Sequence, residues 1–213
     1  MTDVDAPQVV WRGSTEAAAP LVVLLHGRGS DAADIISLAD HLPSGPAYAA
    51  VRAPIAEGGG FAWFANRGIG RPVAESLAGT MAWFRNWLDD VAPAGRQVVL
   101  VGFSGGAAFA GGLVLDDPAR YAGAAILYGT LPLDAGVPTP PPGRLDGVPV
   151  LVAHGDADVV IPRDLLDRTW AYLDGEARSV TTAVRDPGGH GISAAVLGEV
   201  RDWLAELTTG ATS

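Results

Sequence analysis

The chain has 213 residues, of which 48% are hydrophobic and 18% charged, a balance typical of a globular protein with a sizeable core. Its formal net charge is −10 and its 14 basic residues are all arginines without a run, so nucleic acid and anionic membrane surfaces are not expected as partners. Cysteine is absent, which excludes a disulfide framework and a thiol nucleophile.

The N-terminal residues have neither the positive region nor the apolar core of a signal peptide. No apolar run approaches the ~20 residues that a membrane span needs. We therefore expect a cytoplasmic protein with no membrane insertion, folded as a single domain over residues 1–213. Residues 1–7 and 209–213 are expected to be flexible tails, and a homodimer is left open.

Apolar runs predict strands that alternate with helices along the chain. The predicted strands are residues 8–12, 21–25, 47–51, 98–101, 122–128, 148–153 and 180–184. Apolar residues at helical spacing predict helices after Asp31, after Pro72, after the fourth strand, after Pro162 and at the C-terminus. This alternation predicts an α/β domain with a mostly parallel sheet covered on both faces.

The strand at residues 21–25 leads into a glycine-rich loop, His26-Gly27-Arg28-Gly29. Ligands of parallel sheets bind at the carboxyl ends of strands, so this loop lies where chemistry is expected. An ordinary glycine turn is the alternative. His26 and His154 each close a buried strand just before a glycine, and both are expected to satisfy backbone groups.

The strand at residues 98–101 leads into Gly102-Phe103-Ser104-Gly105-Gly106, which fits the G-x-S-x-G pattern of a nucleophile elbow. A serine at the tip of a sharp turn has strained backbone angles, so its flanking positions must be nearly free of side chains. Gly102 and Gly106 meet that need. With 28 glycines the pattern could arise by chance, but a buried strand before it and a glycine-alanine helix after it favour a catalytic Ser104.

A nucleophilic serine needs a base, and the base needs a group that orients it. The expected base is His190, which lies in a glycine-rich loop after the last predicted strand, although a surface loop histidine is the alternative. The acid follows the preceding strand, at Asp156 or Asp158. Serine, aspartate and histidine then occur in the order expected of an α/β-hydrolase.

The reaction also needs two amide donors for the developing oxyanion. One is expected to be the amide of Gly105, directly after the nucleophile. The loop after the strand at residues 21–25 fits the second, with the amide of Arg28 as the donor.

Four segments together resemble the phospholipase/carboxylesterase family of α/β-hydrolases. They are His26-Gly-x-Gly, Gly102-Phe-Ser-x-Gly, His154-Gly-x-x-Asp158-x-x-x-Pro162 and Gly189-His190. The family includes small carboxylesterases, lysophospholipases and acyl-protein thioesterases. The resemblance extends roughly from Leu21 to Leu207 and implies an α/β-hydrolase fold, here with about seven strands because only one precedes Leu21.

The resemblance implies a role for each site residue. Ser104, Asp158 and His190 are the implied triad, with the Arg28 and Gly105 amides as the oxyanion hole. It also implies that Trp63 lines the substrate cleft, although core packing explains Trp63 nearly as well. The chain departs from the family where Gly105 replaces a common glutamine and where Ser30 replaces a frequent aspartate, but neither change removes a catalytic group.

The segment from Gly129 to Gly147 is where many α/β-hydrolases insert a cap domain. Here it is rich in proline and too short for a helical lid, so we expect no large cap and an open cleft walled by Leu131 and Trp63. The prediction is a serine carboxylesterase that hydrolyses short-chain, small-molecule esters through an acyl-enzyme, without a metal or cofactor.

Several alternatives stay open. A lysophospholipase or an acyl thioesterase would use the same triad, as would a lyase or a cofactor-free perhydrolase. A non-catalytic binding protein with the α/β-hydrolase fold is the alternative from a different class, but such proteins often lose a triad member.

Overall fold

The computed structural model describes residues 6–133, 135 and 140–209. The expected tails therefore lie mostly outside the described residues, as does part of the proline-rich segment. The strands are β1 (Val9–Gly13), β2 (Leu21–Leu25), β3 (Ala47–Val51), β4 (Ile55–Glu57), β5 (Gly60–Ala62), β6 (Asn66–Gly68), β7 (Arg71–Pro72), β8 (Val98–Phe103), β9 (Gly123–Leu127), β10 (Pro149–Gly155) and β11 (Val180–Asp186).

In the described part of the chain, five α-helices connect and cover these strands. They are α1 (Ala32–Ile35), α2 (Ala74–Val91), α3 (Gly105–Asp116), α4 (Arg163–Ala171) and α5 (Ala194–Thr209). Short 3₁₀ segments, Ile36–His41 and Pro118–Arg120, follow α1 and α3, and a π-helical turn, Tyr172–Glu176, extends α4. Asp31 caps α1 as its position predicts, since its carboxylate accepts a hydrogen bond from the amide of Ala33.

One seven-stranded sheet carries the fold, in the order β1-β3-β2-β8-β9-β10-β11. All of its pairings are parallel except that of β1 with β3. The central strands β2, β3, β8 and β9 are buried almost throughout, because helices cover both faces and leave little room for polar side chains. The predicted α/β-hydrolase fold with about seven strands is confirmed.

Two apolar layers lie on opposite faces of the sheet. On one face, α2 and α3 pack through side chains such as Phe84, Leu88 and Phe109. On the other face, α1 and α5 pack through Ile35, Val200 and Leu204. Helix α3 can approach the sheet closely because its buried positions are mostly glycine and alanine.

The segment between β3 and α2 forms two small antiparallel hairpins, β4–β5 and β6–β7, where the sequence predicts only a long loop. Strands of two or three residues carry too little periodicity to be recognised in a sequence. Residue 61 also forms a bridge with residue 30, which ties the first hairpin to the loop after β2. The hairpins therefore stand beside the carboxyl ends of the central strands.

Candidate active site

Ser104 occupies the sharp turn between β8 and α3. Its backbone has φ 54° and ψ −113°, a conformation that side-chain-bearing residues rarely adopt. A Cβ on Gly102 would lie 2.2 Å from the carbonyl oxygen of Gly106, and a Cβ on Gly106 would lie 2.1 Å from that of Leu25. Both glycines are therefore required by close backbone approach, and the turn exposes the serine hydroxyl at the end of the sheet.

His190 bridges Ser104 and Asp158 in the structure. Its Nε2 lies 2.9 Å from the Ser104 hydroxyl oxygen, and its Nδ1 lies 2.8 Å from Oδ2 of Asp158. Three side chains from three separate strand ends thus form one hydrogen-bonded chain, in the geometry that a base-activated nucleophile needs.

The Asp158 carboxylate is held on both oxygens. Its Oδ1 accepts hydrogen bonds from the amides of Val160 (2.7 Å) and Ile161 (3.2 Å), while Oδ2 faces His190. Burial alone would raise the pKa of Asp158, but the hydrogen bonds from His190 and the two amides outweigh it and lower that pKa. The group therefore stays ionised opposite the imidazole.

Asp156, the other acid that the sequence left open, lies apart from His190. It is half-exposed and its Oδ1 accepts a hydrogen bond of 2.7 Å from the guanidinium of Arg185. Of these two acids, the structure brings only Asp158 into contact with the imidazole.

The backbones of Arg28 and Gly105 lie close together next to Ser104. A Cβ on Gly105 would be 3.3 Å from the Arg28 amide nitrogen. Among the hydrogen bonds of the described residues, neither amide donates to a backbone carbonyl. Both N–H groups are thus available to an oxygen bound beside the serine.

The Arg28 side chain fixes its own loop. Its guanidinium forms a two-pronged ion pair with Glu57 on β4 and donates a 3.0 Å hydrogen bond to the carbonyl oxygen of Phe64. The amide of Gly29 donates to the carbonyl oxygen of Phe61 at 2.8 Å. The first hairpin therefore holds the loop that carries the Arg28 amide.

His26 satisfies backbone groups, the role expected from its position. Its Nδ1 lies 2.7 Å from the carbonyl oxygen of Gly27, and its Nε2 accepts a 3.1 Å hydrogen bond from the amide of Ala53. Burial lowers the pKa of His26, so the ring stays neutral with the proton on Nδ1. His154 is also buried, and its ring packs edge-on against Trp170. Its Nδ1 has no hydrogen-bond partner among the described residues, so the expected role of satisfying backbone groups is wrong for His154.

A cavity of about 270 Å³ opens onto Ser104 and His190. Its lining combines apolar side chains with a few polar ones: Arg28, Phe64, Asn66, Ile69, Gly70, Ser104, Gly105, Ala108, Gly129, Thr130, Val160, Ile161 and His190. Hairpin β6–β7 supplies part of the wall, and the loop after β10 supplies another part. Ile69 and Val160 are 53% and 39% exposed, so apolar side chains reach solvent at this mouth.

The predicted wall residues Trp63 and Leu131 are not part of this cavity lining, and the prediction is wrong for both. Trp63 is 1% exposed, stacks on Phe109 at 4.5 Å between ring centroids and donates a hydrogen bond to the carbonyl oxygen of His26. Leu131 is 3% exposed and packs against Gly111 of α3. Core packing, the alternative for Trp63, accounts for both positions.

Sequence reasoning missed the actual walls, Ile69 and Val160. Residues 159–161 form an apolar run directly after the triad aspartate, where a loop should be polar, and that mismatch was a usable signal. Ile69 sits at the tip of a hairpin too short to be recognised, and nothing in the sequence marks it.

A second, larger cavity of about 430 Å³ lies between α2, α3 and the proline-rich segment. Its floor includes Leu77, Met81 and Leu115, and its rim carries the ion pair between Arg85 and Asp116. None of the triad residues lines it.

Within the described range, no group of three or more histidine, aspartate or glutamate side chains could hold a metal ion, and no helix is long and apolar enough to cross a membrane.

Comparison with known proteins places this geometry in a family. The crystal structure of a carboxylesterase from Bacillus cereus superposes with a TM-score of 0.82 at 22% identity and covers 94% of each chain. That of a carboxylesterase from Mesorhizobium loti has a TM-score of 0.81 at 27% identity and covers 96% of this chain and 97% of the other. The putative hydrolase MhqD of Bacillus subtilis is 24% identical over 190 residues, 87% of this chain and 92% of its own.

The family profile described as Phospholipase/Carboxylesterase matches residues 7–208, which is nearly the whole chain. The sequence motifs, the seven-stranded sheet and this match agree, and the chain belongs to the phospholipase/carboxylesterase family of α/β-hydrolases, a family of hydrolytic enzymes.

Proposed function

We propose that the protein is a serine carboxylesterase of a single α/β domain that hydrolyses short-chain esters through an acyl-enzyme. The observation that carries the proposal is the continuous hydrogen-bonded chain from Ser104 through His190 to Asp158. A binding protein would have no need to keep a strained serine, an aligned imidazole and a buried carboxylate together.

In the proposed reaction, Ser104 attacks the ester carbonyl carbon while Nε2 of His190 takes the hydroxyl proton. Asp158 holds the imidazole in the correct orientation and stabilises the imidazolium that forms. The carbonyl oxygen becomes negative as the tetrahedral intermediate forms, and the amides of Arg28 and Gly105 donate to it.

The intermediate then collapses. The bond from the carbonyl carbon to the alcohol oxygen breaks, and His190 returns its proton to the leaving alcohol. Water deprotonated by the same imidazole attacks the acyl-serine ester, and a second collapse releases the carboxylic acid and restores Ser104. No metal or cofactor enters these steps.

The short-chain preference is supported by the size of the cavity and by its walls. A volume of about 270 Å³ lies just below the ~300–1,000 Å³ typical of ligand pockets. Phe64, Ala108 and Ile161 line the cavity, and two further apolar walls, Ile69 and Val160, stand partly in solvent. A long acyl chain would therefore leave the cavity and gain little burial beyond its first carbons.

A fluorophosphonate probe and a series of p-nitrophenyl esters test the proposal. We expect stoichiometric labelling of Ser104, and kcat/KM that falls from acetate or butyrate toward palmitate. Labelling without hydrolysis of any ester would contradict the carboxylesterase assignment. A maximum at twelve carbons or beyond would instead favour a lysophospholipase or acyl thioesterase, which thioester and lysophospholipid substrates distinguish.

A further inference from the structure

A buried hydroxyl–carboxylate pair, Tyr128 and Asp186, lies behind the candidate base. The Tyr128 side chain is fully buried, and its hydroxyl donates a 2.5 Å hydrogen bond to Oδ2 of Asp186. Asp186 is itself only 6% exposed and ends β11, at the start of the loop that carries His190. Neither residue belongs to the triad.

The Asp186 carboxylate organises the loop around it. Its Oδ1 accepts a hydrogen bond of 3.3 Å from the amide of Gly188, and Ser193 hydrogen-bonds both Asp186 and Tyr128. The hydrogen bond from Tyr128 lowers the pKa of Asp186, and burial together with that hydrogen bond raises the pKa of Tyr128 to about 12. The pair is therefore a neutral phenol donating to a carboxylate, a charge-assisted hydrogen bond. Through Ser193, the pair also connects the start of the His190 loop with the residues just before α5.

Tyr128 also supports the imidazole through its ring. The rings of Tyr128 and His190 pack edge to face, with centroids 6.3 Å apart and planes at 86°. Phe103 contacts both rings, at 5.9 Å from Tyr128 and 5.2 Å from His190. The imidazole thus packs against the rings of Phe103 and Tyr128 and hydrogen-bonds Ser104 and Asp158 through its two nitrogens.

The backbone of Tyr128 is strained, with φ at 49°. Among the described residues, only Ser104 and Arg178 are other non-glycine residues with positive φ. The strain persists because the Tyr128 amide donates a 2.8 Å hydrogen bond to the carbonyl oxygen of Ala153 while the hydroxyl is anchored at Asp186. Strain of this kind is kept where the placement of a side chain matters.

We propose that Tyr128 and Asp186 are positioning residues for His190, which fix its ring between Ser104 and Asp158. The inference rests on the proposed function, since it concerns the base of that reaction. Without the Tyr128 hydroxyl, Asp186 loses a donor and the phenyl ring loses its anchor, so the imidazole gains freedom about its side-chain torsions. A displacement of about 1 Å in a catalytic group can cost on the order of 10²-fold in rate.

The test compares Tyr128→Phe with a matched control, Tyr121→Phe. The Tyr121 hydroxyl is also buried but has no hydrogen-bond partner among the described residues, so its removal leaves no unpaired group. We expect Tyr128→Phe to lower kcat and the rate of fluorophosphonate labelling by about 10- to 100-fold, with KM changed less than about twofold. Tyr121→Phe should leave all three values near those of the wild type.

Asp186→Asn and Asp186→Ala provide a second arm that does not depend on Tyr128→Phe folding. Asparagine keeps an acceptor oxygen for Tyr128, so we expect Asp186→Asn to retain more kcat than Asp186→Ala. The proton NMR resonance of the His190 Nδ1–H should broaden in Tyr128→Phe and in Asp186→Ala and stay sharp in Tyr121→Phe. This readout reports ring placement and needs no substrate.

The outcomes separate the two proposals. Wild-type kcat, labelling rate and Nδ1–H resonance in Tyr128→Phe and Asp186→Ala, in a protein that hydrolyses esters, would overturn the positioning role alone. A loss of thermal stability with an unchanged labelling rate per folded molecule would overturn it as well. If the wild type neither hydrolyses esters nor reacts with the probe, the proposed function fails, and the positioning role fails with it.

Discussion

The residues nearest the proposed chemistry and the residues that wall the cavity are held in different ways. Asp158 and His190 lie on loops joined by short backbone hydrogen bonds, such as that from the amide of Ala157 to the carbonyl oxygen of Gly188 at 3.0 Å. The walls stand on hairpin β6–β7, whose strands have three and two residues, and on the loop after β10. Ile69, at the tip of this hairpin, is 53% exposed. Rigid placement serves catalysis, and the exposed walls can change without disturbing it.

Because the two groups of residues are held differently, substitutions in them should have different effects. A change at a strand end should alter the rate for every substrate, because it alters the reacting groups. A change on the walls should alter the relative rates of different substrates, because it alters only what surrounds them. A change in the core beneath should alter stability.

The largest expected effect is at the nucleophile. Ser104→Ala should lower kcat by about 10⁶-fold, since removal of the nucleophile of a triad leaves only binding and oxyanion stabilisation. Its far-ultraviolet circular dichroism and thermal unfolding should match the wild type, because alanine also fits the turn. Burst kinetics with p-nitrophenyl acetate and fluorophosphonate labelling measure the loss, and persistent labelling of the variant would assign the nucleophile elsewhere.

Replacement of the triad acid should have the next largest effect. Asp158→Asn should lower kcat by up to about 10⁴-fold, because an amide at this position favours the wrong imidazole tautomer. Asp156→Asn is the matched control, since Asp156 lies in the same loop but pairs with Arg185. Its kcat should stay within about threefold of the wild type. A larger loss in Asp156→Asn than in Asp158→Asn would reverse the assignment.

The sequence located the residues that follow the strands better than the residues that wall the cavity, and the reason is physical. Gly102 and Gly106 are needed by contacts that any such turn makes, so a local pattern reveals them. Buried strands such as β2 and β3 are continuous apolar runs, and their predicted bounds agree with the structure. Each polar loop follows such a strand directly, so its place in the sheet can be inferred.

The walls depend on tertiary packing that no local pattern encodes. A tryptophan in a loop is equally compatible with a cleft and a core, and only the stacking on Phe109 and the hydrogen bond to His26 decide the place of Trp63. Likewise, Leu131 follows a strand end but packs beneath the cavity against Gly111. In both cases the sequence does not reveal whether the side chain points into the cavity or into the core.

Trp63 should therefore act on stability and not on substrate choice. Trp63→Phe removes the donor to the His26 carbonyl oxygen and leaves a small cavity, which should lower the free energy of unfolding by about 1–3 kcal/mol. Urea denaturation measures this change. Trp11→Phe is the control, because Trp11 is 43% exposed on an edge strand and should change the value by only about 0.5 kcal/mol. A Trp63→Phe variant with normal stability but an altered ester profile would return Trp63 to the cleft.

The smallest expected effect is at the wall, and it is the most specific. Ile69→Ala removes three carbons from a side chain that is half-exposed without substrate, so only the part covered by an acyl chain contributes. At ~0.8 kcal/mol for each buried methylene, partial coverage corresponds to roughly a threefold fall in kcat/KM for butyrate or hexanoate esters. The acetate ester is too short to reach this wall and should be hydrolysed at the wild-type rate. Val180→Ala, a similarly exposed site on β11 away from the cavity, should change neither value.

The ratio of kcat/KM for hexanoate to that for acetate, measured on the same preparation, cancels errors in active-enzyme concentration. An unchanged ratio in Ile69→Ala would show that the acyl chain leaves Ser104 in another direction, and an equal fall for both esters would mean that the hairpin supports the catalytic loops as well as the walls.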